Sequence, residues 1–576
     1  MRNKEVSQKF YELASLAELA GENPFKVNAY ARAARTIENL PGPIEDLARD
    51  GKLTEIRGIG SGIAKKIVQY LETGKIEKLE EFKSKVPFSL LEMEKVSGLG
   101  PKGAMALYKH LGIKTVEGLK KAALDGKIRS LPGFGLKKEE NILKAIQGLR
   151  KKKEEKRVSI GLALPLAETI VDFLKRNSPI ERFQICGSIR RMKETVGDID
   201  ILVTSKESEK VMKTFAEVPM LKDVLVSGET KTSILTNENI QVDLRVVEPL
   251  SFGAAIQYFT GSKQHNIKLR ELAIKKGYKI NEYGVFEVKS GKKVGGEREE
   301  DVYDLLGLPW IPPEMREDRG EIESAMANDL PILIESSDIK GDTHVHTRYS
   351  DGANTIEEVA KKAMELGYEY IVITDHARAL GVASGLSIEE YKREGREIAE
   401  LNKKFGDGFR IFLGVELNIL SNGSVDFPEE ALDLFDICTA GVHTGLTQSK
   451  DKMMKRIKNV MRMKKIKIIV HPTGRVIGER EGYDVDLEEL LEEAKNTGTM
   501  FEINANPKRL DLNDINALRA KKMYGLRFSI GTDAHSKEGL ADMKYGIGIA
   551  RRAWLTKNDV INTLSLREFE KFIKSW

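Results

Sequence analysis

Cysteine is nearly absent from this chain. The two present in 576 residues, Cys186 and Cys438, exclude a disulfide framework and suit a reducing compartment. Long apolar runs are missing as well. No stretch approaches the roughly 18 residues a membrane-spanning helix needs, and the opening Met-Arg-Asn-Lys-Glu-Val has no apolar core of a secretion signal. No membrane role is expected, and a cytoplasmic location is. Net charge is small, 93 Lys and Arg against 88 Asp and Glu, and by itself names no partner. Its distribution says more: residues 51–157 hold 25 basic and 13 acidic residues, a basic island in an otherwise acidic chain. Histidine is also scarce, and six of the eight fall between residues 344 and 535. With 41% hydrophobic and 31% charged residues the composition is that of a folded globular protein, long enough for roughly three to five domains.

Residues 1–50 read as helices, with Phe10, Leu13, Leu16, Ala17 and Leu19 near helical spacing and breaks at Asn23-Pro24 and Pro41-Gly42-Pro43. Three Gly-apolar-Gly turns follow, each leading into a short amphipathic segment: I-R-G-I-G-S-G-I-A-K-K-I (56–67), V-S-G-L-G-P-K-G-A-M-A-L (96–107) and L-P-G-F-G-L-K-K-E-E-N-I (131–142). The pairs Gly58/Gly60, Gly98/Gly100 and Gly133/Gly135 allow close backbone approach, so the next helix can aim unpaired N–H groups at a phosphate oxygen, while the apolar residue anchors the turn. One copy would equally suit an ordinary glycine-capped helix. Three copies inside a basic island favour nucleic-acid backbone binding. They resemble helix-hairpin-helix motifs. The run from Arg150 to Arg157 reads as a solvated linker helix.

From about residue 158 helices and strands alternate, and F-Q-I-C-G-S-I-R-R (183–191) leads to V-G-D-I-D-I-L-V (196–203). Residues two apart on a strand share a face, so Asp198 and Asp200 can share a divalent ion while Ile199, Ile201 and Val203 face a core. Asp243, in the alternating I-Q-V-D-L-R-V-V (240–247), would complete a three-carboxylate site for two Mg²⁺ ions, the arrangement that serves phosphoryl transfer. D-x-D alone would equally suit an exposed edge strand. The upstream turn weighs against that: Gly187 and Ser188 offer backbone and hydroxyl donors to phosphate, Arg190 and Arg191 offer charge, and Gly197 permits close approach.

Q-Y-F-T-G-S-K-Q-H-N-I-K-L-R-E-L (257–272) then turns at Gly261-Ser262 and enters a helix. G-S-I-R-R, G-D-I-D, the Val242–Arg245 strand, and Y-F-T-G-S followed by Asn266 together resemble family X DNA polymerases over roughly residues 1–315, including L-G-L-P-W-I-P-P-E (306–314). The resemblance implies that Asp198, Asp200 and Asp243 bind Mg²⁺, with Asp243 also helping to deprotonate the primer 3′-hydroxyl. It implies that Gly187, Ser188, Arg191 and Gly197 hold the triphosphate of a deoxynucleoside triphosphate. Tyr258, Phe259 and Gly261 would line the sugar pocket, although the residues alone would equally allow both aromatics to be core. Asn266 would touch the base's minor-groove edge and Arg270 the template strand. Lys263 and Ile267 depart from the animal enzyme, which has an acidic and a basic residue there, and Lys263 is expected to add charge to nucleotide binding. Lys66 matches the Schiff-base lysine of the family's lyase domain, and Lys26 and Tyr30 match its phosphate-binding neighbours, while Gly62 stands where that domain has a further lysine.

Beyond an acidic stretch, the histidines gather in D-T-H-V-H-T-R-Y-S-D-G (342–352), I-T-D-H (373–376), G-V-E-L (414–417), G-V-H-T (441–444), V-H-P (470–472) and G-T-D-A-H (531–535). Most follow a short β-branched run, the rhythm of a β/α barrel with ligands at strand C-termini. Neutral His with Asp and Glu suits Zn²⁺, Mn²⁺ or Fe²⁺, and clustered metals imply phosphoester hydrolysis. This half resembles the polymerase and histidinol phosphatase (PHP) domain. The resemblance assigns His344, His346, Glu416 and Asp533 to one metal, Glu416, His443 and His471 to a second, and Asp351, His376 and His535 to a third, up to three Mn²⁺ or Zn²⁺ ions in all. It implies 3′-to-5′ exonuclease activity, with 3′-end processing or abasic-site cleavage as related chemistry.

The fold expected is multidomain, α+β and α/β. A helical lyase-like domain would occupy 1–85, helical fingers 86–157, a nucleotidyltransferase palm 158–250, a thumb 251–315, a linker 316–336, and a distorted (β/α)7 PHP barrel 337–576. The expected partners are gapped or primer-template DNA and deoxynucleoside triphosphates. Two rivals stand beside this: a nucleotidyltransferase that does not copy a template, and a barrel that is structural or acts on small metabolites.

Overall fold

The computed structural model describes residues 2–38, 40, 43–56, 58–87, 89–93, 96, 99–131, 134–136, 138–139, 141–143, 157–378 and 385–575. The first glycines of two turns, Gly98 and Gly133, and the basic run 150–156 lie outside the described residues. The chain divides into two compact units, Met1–Lys156 and Arg157–Trp576.

The first unit is helical, and its main helices include Asn3–Leu19, Pro24–Glu38, Ser61–Thr73 and Pro101–Leu111. Phe10, Leu13, Leu16 and Ala17 of the first helix are fully buried, as their spacing predicts. The apolar residues of the three glycine turns, Ile59, Leu99 and Phe134, are buried in the same core, so each turn is pinned from inside while Gly60, Gly100 and Gly135 stay exposed.

In the second unit, a five-stranded sheet is built from β1 (Arg182–Ile185), β2 (Asp198–Thr204), β3 (Leu221–Ser227), β4 (Lys231–Thr236) and β5 (Gln241–Val246), in the order β1-β2-β5-β4-β3. β2 runs parallel to β5 with Asp200 opposite Asp243, and the other pairs are antiparallel. Alternation on β2 explains its placement. Ile199, Ile201 and Val203 bury against the helices Ile160–Asn177 and Ser208–Phe215, while Leu202 packs on the opposite face against Phe252 and Ala255. Strand register therefore puts both aspartates on the face away from the main core.

A small antiparallel sheet, β6 (Tyr278–Asn281), β7 (Gly284–Glu287) and β8 (Lys293–Gly295), follows the helix Lys263–Lys275. Seven parallel strands then come in sequential order: β9 (Gly341–Val345), β10 (Tyr370–Ile373), β11 (Arg410–Asn418), β12 (Ile437–Gly441), β13 (Ile466–Ile469), β14 (Met500–Asn504) and β15 (Phe528–Gly531). Bonds from Asp533 N to His344 O and from His346 N to Ala534 O link the last strand end to the first, giving the expected distorted seven-stranded barrel. One apolar core runs from the helix Lys263–Lys275 through Tyr303 and Met315 into the barrel strands. Residues 316–336, expected as a linker, carry the helix Glu321–Met326 and bury Arg316, Glu321 and Ile322 against that core. The segment is acidic in sequence, yet from Arg316 to Glu323 its charges are paired, Arg316 with Glu299, Glu317 with Arg191 and Arg552, and Glu321 with His265, while Asp329 and Glu335 stay exposed.

Two candidate active sites

In the sheet-based site, Asp200 and Asp243 face each other across the β2–β5 pair, and Asp198 is exposed at the start of β2. Burial, reinforced by Asp198 and Asp243, pushes the Asp200 carboxyl up to about 7. At Asp243 burial also pushes upward, but the bonds from Gln241 and the Lys231 ammonium outweigh it and hold the carboxyl below its ordinary range. Three carboxylates gathered at cost to one another are the donor set a divalent cation would relieve, so these residues fit Mg²⁺. Gly187, at φ +66, is needed here, because a methyl group on it would come within 3.0 Å of Asp200 Oδ2.

A cavity of about 750 Å³ opens over Asp198 and Asp200. Its walls include the expected nucleotide residues Gly187, Ser188, Arg191, Gly197, Tyr258, Phe259, Gly261, Lys263 and Asn266, together with Arg270. Tyr258 and Phe259 are half-buried, edge to face at 5.1 Å, so they are cavity walls rather than core. The Asn266 amide donates to the Tyr258 carbonyl at 2.7 Å and accepts from Gln257 at 2.7 Å. Arg270 Nε donates to the Asn266 carbonyl at 3.2 Å. Arg190 has another use: its guanidinium forms two 2.7 Å bonds to Glu299 and one to Thr260. It braces the fold and is not among the cavity-lining residues, which corrects the expectation that it offers charge to phosphate. The cavity also gains Arg157, Lys193, Arg319, Asp514 and Arg552, none of which the motifs had marked. His265, given no role by its sequence, is fully buried with Nδ1 at 2.8 Å from Glu321 and Nε2 at 3.1 Å from the Tyr303 hydroxyl.

In the helical unit, Lys66 Nζ lies 5.9 Å from the centroid of the Tyr30 ring. Burial, followed by Lys78 and Lys26, holds its pKa below the ordinary lysine value. Lys26 pairs with Glu22 at 3.3 Å. Gly60 and Gly100 sit at the N-termini of Ser61–Thr73 and Pro101–Leu111, and neither helix start has a side-chain cap. Gly58 adopts φ +90 against the Arg32 side chain, and at Gly135 a methyl group would meet nothing within 4 Å.

The barrel brings all nine expected ligands to its strand C-termini. Glu416 is central. His443 Nε2 and His471 Nε2 lie 2.9 and 2.8 Å from its Oε1, and His376 Nδ1 and His344 Nε2 lie 2.9 and 3.4 Å from its Oε2. His346 is 3.3 Å from Asp533, and His535 is 3.3 Å from Asp351. Three sets could each hold an ion: His344, His346 and Glu416; His376, Glu416 and His443; and His346, Asp351, His376 and His535. His346 and His376 thus each stand between two sets, a sharing not visible in the sequence grouping. Nδ1 of His346, His443 and His471 is buried without a hydrogen-bond partner. Burial, reinforced by His376, lowers His346 to about 4; burial, reinforced by Arg509, lowers His471 to about 3. Against burial, Glu502 and Glu416 raise His344, Glu416 raises His376, and Asp351 raises His535 to about 9. Imidazoles and carboxylates crowded together, with buried polar atoms left unpaired among them, are a donor set that fits a metal centre.

Sequence reasoning missed Glu502, whose Oε1 is 2.6 Å from His344 Nδ1 and whose Oε2 accepts from the His471 N–H at 2.7 Å. It also missed Arg509, 3.3 Å from Asp533, and Asp375, which accepts from Thr347 N at 2.7 Å and from the Ser350 hydroxyl, tying down the loop that carries Asp351. One signal was available for Glu502: an acidic residue inside the otherwise apolar strand M-F-E-I-N (500–504), two residues from Asn504 on the same face.

Comparison with known families agrees along the chain. A helix-hairpin-helix domain matches residues 1–76 and a SAM-like helix-hairpin-helix tandem residues 90–147. The DNA polymerase beta palm matches 165–253, the DNA polymerase beta thumb 255–317, and the PHP domain 342–506. The chain is thus similar to a polymerase of the beta type continued into a PHP barrel. Among curated proteins, the DNA polymerase/3'-5' exonuclease PolX of Bacillus subtilis is 39% identical over 576 residues, covering 100% of both chains. DNA polymerase lambda of Rattus norvegicus is 26% identical over 346 residues, 55% of this chain and 56% of its own length. That of Arabidopsis thaliana is 27% identical over 349 residues, 54% and 62% respectively. The chain belongs to the family X DNA polymerases that carry a C-terminal PHP domain.

Proposed function

We infer that this chain is a DNA-directed DNA polymerase that fills short gaps in repair of the base-excision type, joined to a metal-dependent 3′-to-5′ exonuclease in its barrel. The observation that carries the polymerase reading is the in-register pair Asp200 and Asp243 beside Asp198, under a cavity that gathers the G-S turn and the Tyr258–Gly261 turn. A nucleotidyltransferase that does not copy a template would have no use for three hairpin turns in a basic island.

Asp198, Asp200 and Asp243 would hold Mg²⁺, which when bound neutralises phosphate charge and acidifies the primer hydroxyl. Asp243, kept ionised by its hydrogen bonds, would accept the primer 3′-hydroxyl proton. Ser188, Arg191 and Gly197 would orient the triphosphate, with Lys263 adding charge from the cavity wall. Tyr258, Phe259 and Gly261 would crowd the sugar and disfavour a 2′-hydroxyl. Asn266 would reach the base edge once its amide releases the Tyr258 carbonyl, and Arg270 would meet the template. The barrel ligands would hold Mn²⁺ or Zn²⁺, up to three ions, which when bound supply hydroxide at neutral pH and clamp a phosphoester. Buried, unpartnered ring nitrogens on His346, His443 and His471 speak against a purely structural barrel. Both sites would act on the same DNA 3′ end, one extending it and one trimming it; 3′-end processing or abasic-site cleavage would use the same hydrolytic chemistry.

The test is extension and degradation on one-nucleotide-gapped DNA with Mg²⁺ or Mn²⁺, comparing wild type, Asp198→Ala/Asp200→Ala and His344→Ala/His346→Ala. Synthesis should vanish only in the first variant and degradation only in the second. A wild type that extends without degrading would return the barrel to another phosphoester or a structural part. One that does neither would sink the polymerase reading.

A further inference from the structure

The segment Arg191–Glu194 joins the turn bearing Gly187 and Ser188 to the strand bearing Asp198, and the barrel half of the same unit fastens it at three residues. Nη1 of Arg552 donates to the Arg191 carbonyl at 2.6 Å. Met192, at φ 52, lies so close to Gly548 that a methyl group there would come within 2.6 Å of its side chain. Glu194 pairs at 2.7 Å with Arg475, whose guanidinium also donates to the carbonyls of Arg509 and Leu510.

The Arg191 side chain is tied to the same frame. Glu317 Oε1 lies 3.0 Å from Arg191 Nε and 2.9 Å from Arg552 Nη1, so one carboxylate oxygen bridges a palm arginine and a barrel arginine. Asp514 takes both Nε and Nη2 of Arg552, at 3.0 and 2.8 Å, and Arg319 at 2.9 Å. Arg552 is only 2% exposed, yet it and Asp514 line the cavity that also holds Ser188 and Asp198. Charged groups taken out of water are costly unless their geometry is over-determined, and phosphate donors must be held to within about half an ångström to bind well.

We propose that the barrel is a structural part of the polymerase's nucleotide site, with Arg552 as a positioning residue that sets the triphosphate-binding turn for a deoxynucleoside triphosphate. This rests on the polymerase reading above. Arg552 touches no reacting atom; it acts through the Arg191 carbonyl and Glu317. The consequence is that nucleotide affinity depends on residues of the hydrolytic domain, while hydrolysis itself does not depend on Arg552.

The test uses the full chain on gapped DNA and measures KM and kcat for the incoming nucleotide, the rate of 3′-end degradation, and the melting temperature. Arg552→Met should raise the nucleotide KM about tenfold or more, the size expected when charge-assisted bonds to a positioned turn are lost. It should change kcat at saturation by less than about twofold and leave degradation at the wild-type rate. Arg551→Met is the comparison: Arg551 binds Glu314 and the Ile334 carbonyl and should leave the nucleotide KM unchanged. An unchanged KM in Arg552→Met, or an equal rise in both variants, would overturn the proposal. Should Arg552→Met fail to fold, Arg475→Met, which frees Glu194, should likewise raise the nucleotide KM, and a wild-type KM there would overturn the proposal. A wild type that neither extends nor binds the nucleotide would instead count against the polymerase reading.

Discussion

His344 Nδ1 lies 2.6 Å from Glu502 Oε1, and both side chains are wholly buried beneath the barrel's ligand cluster. A carboxylate at the far nitrogen fixes which imidazole nitrogen keeps its proton and turns the other, Nε2, towards His346 and Glu416. That partner is expected to matter nearly as much as the ligand itself.

Glu502→Gln should therefore weaken metal binding at the barrel by about 10- to 100-fold and reduce 3′-end degradation, while gap filling stays at the wild-type rate. Metal content after dialysis against graded free Mn²⁺ checks it. Wild-type metal retention in the variant would show that His344 is oriented by other neighbours.

The brace between His265, Glu321 and Tyr303 makes a stability prediction. Burial lowers the pKa of His265 despite Glu321, so the imidazole is neutral, donating from Nδ1 to Glu321 and accepting at Nε2 from the Tyr303 hydroxyl. His265→Ala leaves a buried carboxylate short of a donor and a cavity beside it, a loss of about 3 kcal/mol. Tyr303→Phe should cost about 1 kcal/mol. Thermal melting of the two variants checks the order; equal melting temperatures would contradict it.

Asp542, which belongs to neither candidate site, gives a pH dependence. Burial, opposed by Lys544, pushes its carboxyl up to about 6 from an ordinary 3.8. The folded state then holds more proton than the unfolded state between those values, so this group's contribution to stability falls as pH rises through the window. Above about 6 the cost of the buried charge is fully present. Asp542→Asn should melt higher than wild type at pH 8, with the gap closing as pH is lowered towards 4. A gap constant across that range would mean the charge is not the cause.

Lys66 makes a prediction about a third activity. Its partly buried ammonium beside Tyr30, with the pKa lowered from the ordinary lysine value, is closer to the free amine that a Schiff base with an abasic sugar requires. Borohydride should trap the wild-type chain on an incised abasic substrate and fail to trap Lys66→Ala, with the exposed neighbour variant Lys65→Ala trapped normally. Equal trapping of all three would assign the adduct to another amine.

Alternation on β2 made Asp198 and Asp200 readable as a pair, and the spacing of short β-branched runs made the barrel ligands readable as strand-end residues, because both depend on period and local order alone. Arg190 shows where that stops. In sequence it is one of two adjacent arginines after a G-S turn, but its partner Glu299 is 109 residues away, and nothing local distinguishes it from Arg191. Glu502 is 158 residues from His344 and sits in a strand that carries no histidine.

By itself the sequence determined which reactive groups are available: a carboxylate triad on alternating strands, a G-S turn rich in donors, glycine hairpins in a basic island, and nine imidazoles and carboxylates at barrel strand ends. Each is written in a window of a few residues, where backbone period dictates which side chains share a face. Only the tertiary structure decided how those parts are held. It set the pairing of Arg190 with Glu299, the burial of Arg316 and Glu321, the carboxylate behind His344, and the arginine of the barrel, 361 residues along the chain, that reaches back to Arg191. Those depend on charges brought together across the fold, where loss of water makes each pairing obligatory and sequence distance carries no information.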